Sequence, residues 1–109
     1  MTTTTNFEIQ QGSTFSRTMT IVDSDKNPLN LTAYTLTGQL RKNYSSIESV
    51  AFNIIVTNAL TGKITLNINS TVTNTLLFPK YVYDVEINGN GNVYRILEGV
   101  ITVSPNVTR

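Results

Sequence analysis

Between Tyr81 and Ile87 every second residue is large and apolar, Tyr81, Tyr83, Val85 and Ile87, and the run stops at Asn88-Gly89-Asn90-Gly91-Asn92. Period-two alternation places all four side chains on one face of a strand, so a helix is excluded here and a hairpin is dictated next. A two-residue type I′ turn at Asn90-Gly91 pairs Ile87 with Tyr94, Glu86 with Arg95 and Val85 with Ile96. Apolar then meets apolar and acid meets base. This reading sends Val85, Ile87, Tyr94 and Ile96 inward and makes Glu86 and Arg95 an exposed cross-strand pair.

The same period recurs along the chain. Phe7 and Ile9 mark a first strand within 6–11, and Phe15, Arg17, Met19 and Ile21 a second within 14–22, closed by the turn formers from Asp23 to Pro28. Tyr34, Leu36, Gly38 and Leu40 share a third face. After a polar excursion over 42–49 come Phe52, Ile54 and Val56, then Ile64, Leu66 and Ile68. Residues 70–77 lack alternation and precede Pro79, so they read as a helical turn or two with Ser70 as N-cap. Beyond Glu98-Gly99 the phase moves to Ile101 and Val103, which predicts a bulge at the glycine.

Seven short strands with turn signals about every ten residues predict an all-β chain, an immunoglobulin-like antiparallel β-sandwich. The 18 Thr suit a pleated, half-wet surface, and the 13 Asn and 8 Ser suit its connections. With 109 residues the chain reads as one domain, 1–109, with an N-terminal arm over 1–5 and a C-terminal tail over 105–109. A core of that size needs neither disulfide nor metal.

Composition narrows function by subtraction. The chain has no His and no Cys, which removes catalytic triads, thiol nucleophiles, imidazole acid-base groups and ordinary zinc sites. No enzymatic activity and no cofactor are expected. A net charge of +1 with scattered basic residues argues against nucleic acid, and no apolar run approaches membrane-spanning length. No signal peptide is visible at Met1-Thr2-Thr3-Thr4-Thr5-Asn6.

Several motifs have simpler readings. Asp23 to Asn27 opens like a calcium loop, but Pro28 and Tyr34 stand where glycine and the closing glutamate are needed, so it is read as a turn. Gly89-Asn90-Gly91 lacks the third glycine of a dinucleotide fingerprint and precedes no helix. Asp84 and Glu86 share a strand face, as catalytic carboxylates do, yet Arg95 offers a cross-strand partner. Arg17, on an otherwise apolar face, reads as a side chain that snorkels out at a strand end. Sequons begin at Asn30, Asn43, Asn69 and Asn106, close to the roughly three that chance gives for this composition, and carry no information. The Thr-x-Thr pairs at Thr18, Thr35 and Thr73 are too irregular for an ice-binding face.

A resemblance covers nearly the whole chain. The string from Gln11 to Thr18, then Asp23 to Asn27, Leu31-Thr32-Ala33-Tyr34, Leu40-Arg41-Lys42, Tyr81-Val82-Tyr83-Asp84-Val85-Glu86, Arg95-Ile96-Leu97-Glu98-Gly99-Val100 and the ending Val103 to Arg109 resemble small immunoglobulin-like virion proteins of tailed bacteriophages. Some of these are related to the N-terminal domain of phage baseplate upper proteins. The resemblance implies a structural protein made in the host cytoplasm and carried in the virion, partnered by many copies of other phage structural proteins of a capsid or tail lattice. Capsid decoration is the expected place, with a neck, tail or baseplate adaptor as the alternative. A glycan-binding adhesion module is the alternative of a different class. The expected contact residues are Thr2, Thr3, Thr4, Thr5 and Asn6 in the arm, Tyr44 in the polar excursion, and Val107, Thr108 and Arg109 in the tail.

Overall fold

In a computed structural model, residues 3–105 and 107 are described. Nine strands and one helical turn succeed one another: β1 Thr3–Thr4, β2 Phe7–Gln10, β3 Phe15–Thr20, β4 Thr35–Arg41, β5 Val50–Ala51, β6 Asn53–Asn58, β7 Lys63–Ile68, α1 Ser70–Thr73, β8 Lys80–Gly89 and β9 Asn92–Ser104. The chain is all-β, as its alternation predicts. One sheet runs β1-β9-β8-β4-β5 with β2 also on β9, and the other runs β3-β7-β6. Their apolar faces meet in a single core that includes Ile9, Leu40, Ile64, Leu66, Val85 and Ile101. Phe7 and Tyr83 from the larger sheet stack with Phe15 and Phe52 from the other side at centroid distances of 5.4 to 6.4 Å.

Two expectations about the sheets are corrected. Among the described residues there are nine strands rather than about seven, because β1 and β5 are two-residue pieces too short for alternation to reveal. The arrangement is also not wholly antiparallel, since β1 and β2 both pair in parallel with β9. The reason lies in the path of the chain. β2 is followed by β3 in the opposite sheet, so it meets β9 as a neighbour distant in sequence, free of the reversal that a hairpin imposes.

The hairpin forms as its turn residues require. Asn90 (φ 54°) and Gly91 (φ 78°) are both left-handed, and Ile87 faces Tyr94 while Glu86 faces Arg95. The next pair departs from expectation, because Val85 faces Leu97 and not Ile96. The bulge therefore sits at Ile96 rather than at Gly99. Consecutive Ile96 and Leu97 are both buried, and an extra residue on one strand allows two neighbours to escape strict alternation. Tyr94 is corrected as well. It lies across from buried Ile87, yet it is 48% exposed, since β1 covers β9 only at Leu97 and Glu98 and leaves the strand's start as an open edge.

Gly99 has a different purpose. A Cβ there would run into the Thr5 carbonyl and come within 2.9 Å of Asn6 Oδ1, so the glycine admits the arm between β1 and β2. The Thr5 N–H donates to the Glu98 carbonyl at 2.9 Å, the Val100 N–H donates to Asn6 Oδ1 at 2.9 Å, and the Tyr83 hydroxyl donates to the Thr5 carbonyl. Gly99→Ala is expected to unseat residues 3–6 while the sandwich stays folded. Hydrogen exchange would show this as lost protection at Thr5 and Val100 with unchanged protection at Val85.

The helical stretch shrinks to α1, and its N-cap is Asn69, whose Oδ1 accepts the Val72 N–H at 3.0 Å, rather than Ser70. Fully buried Thr73 donates its hydroxyl to the Ser13 carbonyl at 2.8 Å and ties this turn to the β2–β3 connection.

Candidate interaction surface

The polar excursion over 42–49 is held in place by its first neighbour. Arg41 Nη1 donates to the carbonyls of Ser46 at 2.7 Å and Ile47 at 3.0 Å, and Asn43 Oδ1 accepts the Ser45 N–H at 3.1 Å. A loop clamped this way presents its side chains in fixed positions. Those it presents are Tyr44, 86% exposed, and Ile47, 94% exposed. Beside it Leu77 and Phe78 are also exposed, and a cavity of about 320 Å³ lies between the two segments, lined by Lys42, Glu48, Val50, Leu76, Phe78 and Tyr81. Lys42 Nζ stands 4.2 Å from the Phe78 ring centre.

The C-terminal tail leaves from the same end of the sandwich. The Val103 N–H donates to the Pro79 carbonyl at 2.8 Å, and Gln11 N–H donates to the Ser104 carbonyl at 2.9 Å, which brings the end of β9 beside residues 76–79. Val107 is 93% exposed. Of the expected contact residues, Tyr44 and Val107 are thus presented to solvent. Thr3, Thr4 and Asn6 are exposed as well, but these residues and Thr5 lie in or beside β1, seated against this chain's own β9. Thr2, Thr108 and Arg109 lie outside the described residues. Ile47, Leu77 and Phe78 were not singled out by alternation, because exposed apolar residues in irregular segments leave no period; a lone Ile47 in a polar stretch and the run Leu76-Leu77-Phe78 before Pro79 are the trace they leave.

Charge is concentrated on the outer face of the larger sheet. Arg95 lies 3.4 Å from Asp84 Oδ2 and 3.2 Å from Glu98 Oε1, with all three side chains well exposed. Tyr44 borders this group in a shallow depression shared with Gln39 and Arg41. Exposed pairs of this kind contribute about 0–1 kcal/mol; Arg95 with Asp84 crosses from β9 to β8 and favours their register, whereas Arg95 with Glu98 stays within β9. Burial, with Glu98 adding to it, pushes the Tyr83 phenol up, which keeps the hydroxyl protonated as the donor that fastens Thr5. The Asp23 carboxylate accepts the N–H groups of Asp25 at 2.9 Å and Asn27 at 3.0 Å, and Lys26 is left-handed, so the segment is the turn its composition predicts. Arg17 is exposed and lies over the Phe15 ring, as a snorkelling side chain does.

No family model matches the chain, and no curated protein matches it. Among solved structures, a family 123 glycoside hydrolase from Clostridium perfringens, described for glycolipid glycan hydrolysis, is similar at 13% identity with a TM-score of 0.42. The match covers 97% of this chain and 24% of that one, so this chain spans about a quarter of its length.

Proposed function

We propose that the protein is a non-enzymatic structural subunit of a tailed bacteriophage particle, an accessory copy that decorates the capsid. The observation that carries this reading is the end of the sandwich where Tyr44, Ile47, Leu77 and Phe78 face solvent from a clamped loop and the segment beside it. Large apolar side chains held out in fixed positions suit a surface that another protein covers. The resemblance of strings along nearly the whole chain to small virion proteins supports naming the particle. Repetition on a lattice would let modest contacts of this kind hold firmly.

Adhesion to glycans fits the rings less well. Sugar stacking needs free aromatic faces set side by side, and Lys42 stands over Phe78. Tyr44 borders the outer face of the larger sheet, whereas Tyr94 is on the face of Ile87. Those two rings cannot meet one sugar.

Quantifying the chain by mass spectrometry in separated heads and tails tests the proposal. Many copies per head are expected. Recovery with tails would move the protein to the neck, tail or baseplate, and absence from both fractions would overturn the structural role.

A further inference from the structure

Sheet edges attract other strands, and most edges of this sandwich are blunted. β1 and β5 have two residues each, and β6 is broken by an irregularity between Val56 and Asn58. β2 has four residues, and its Gln10 carbonyl already accepts the Ser13 N–H. Among the described residues β9 is open over 92–96, but the bulge at Ile96 ends that stretch, and β3 differs from all of these. It runs unbroken through six residues, pairs with β7 on one side, and has no strand on the other among the described residues.

The direction of its backbone groups follows from one bond. The Ile21 N–H donates to the Gly62 carbonyl at 2.7 Å, next to the pair Thr20 and Lys63, so Ile21 points toward β7. By alternation Phe15, Arg17 and Met19 point the same way, which turns the N–H and C=O groups of Ser16, Thr18 and Thr20 outward. The side chains of these three residues are exposed on the outer face of the sheet.

We propose that a second copy of this chain docks here, β3 against β3, about a two-fold axis through Thr18. An antiparallel pair centred on Thr18 brings together only outward-turned residues, Thr18 with Thr18 and Ser16 with Thr20, and forms about six backbone hydrogen bonds. Charge supports this register. Arg17 then stands opposite Met19 of the second copy, whereas a pair centred on Arg17 would oppose two guanidiniums and bring together residues whose backbone is already used by β7. Threonine supports it too. Thr18 Oγ1 lies 2.8 Å from Thr65 Oγ1, so pairing continues a threonine row across both copies. One contact must yield, the bond from Arg17 Nη1 to the exposed Ser16 carbonyl at 3.0 Å. The outcome is a six-stranded sheet shared by two sandwiches, with the apolar end described above left free on each.

Because the chain has no cysteine, a single introduced thiol reports this geometry without interference. Hydrogen-bonded antiparallel pairs hold Cα atoms about 5.5 Å apart, within disulfide reach. Thr18→Cys in the full chain is expected to give a covalent dimer on mild oxidation. Ser16→Cys should not, since the register separates the two copies of that residue by about 13 Å along the strands. Light scattering should show a mass that doubles with concentration for the native protein, and Thr18→Lys, which faces two ammoniums across the axis, should lose the doubling while keeping the circular dichroism of the native fold. A monomer at every concentration overturns the proposal. So does crosslinking by Ser16→Cys as ready as that by Thr18→Cys, or association that Thr18→Lys leaves intact.

Discussion

Truncating Tyr83 to alanine is expected to lower the unfolding free energy by about 3–5 kcal/mol. The ring is 4% exposed, stands 5.4 Å from the Phe7 ring and 5.8 Å from that of Phe52, and its hydroxyl holds the Thr5 carbonyl. Its loss would open the centre of the core and release the arm together. Glu86→Ala, three residues toward the tip and on the opposite face, should cost under about 1 kcal/mol because a partly exposed charge gives little. Tyr94→Ala should also cost less than Tyr83→Ala, since half of that ring already meets water. Urea unfolding would measure all three. Equal costs for Tyr83 and Glu86 would mean that the inward and outward faces of β8 are assigned the wrong way round.

A larger disruption for its size is expected at Gly62. This residue has φ +69°, and a Cβ on it would stand 2.6 Å from the Ile21 carbonyl oxygen and 2.7 Å from that of Leu29. Neither neighbour can retreat freely. The Ile21 carbonyl accepts the Leu29 N–H at 2.9 Å, and the Ile21 N–H donates to Gly62 itself at 2.7 Å. Gly62→Ala should therefore cost more than about 3 kcal/mol, combining left-handed strain with a backbone collision. Gly91→Ala separates the two effects. Its φ is +78°, but nothing lies within 4 Å of the added Cβ, so strain alone of about 1–2 kcal/mol is expected. Thermal unfolding of the pair would show whether collision or strain dominates, and similar losses would mean that the backbone around Ile21 and Leu29 yields.

Strands that carry both a period and a turn were the most legible. β7 and β8 bury every residue that alternation selects, from Ile64 to Ile68 and from Tyr81 to Ile87, because a half-buried sheet ties face to sequence parity. Arg17 was legible for the same reason, as the misfit on its face. What alternation conceals is where parity changes. The phase moves at Ile96-Leu97, where two buried neighbours force the bulge, and reading it at Gly99 mistakes a site of close approach for a bulge. Parallel pairing of β1 and β2 with β9 depends on contacts more than 90 residues away in sequence and has no local signature. At the candidate surface the exposure of Tyr44 is legible as an aromatic in a polar stretch, whereas the seating of residues 3–6 on this chain's own sheet, for which Gly99 makes room, has no local signature.

Docking through the apolar end is tested most directly by adding the purified protein to heads assembled without it. Saturable binding to heads is expected, strongly reduced by the double substitution Ile47→Glu and Leu77→Glu, whose side chains are 94% and 77% exposed. Failure of the native protein to bind heads, or binding that the double variant retains in full, would contradict the account.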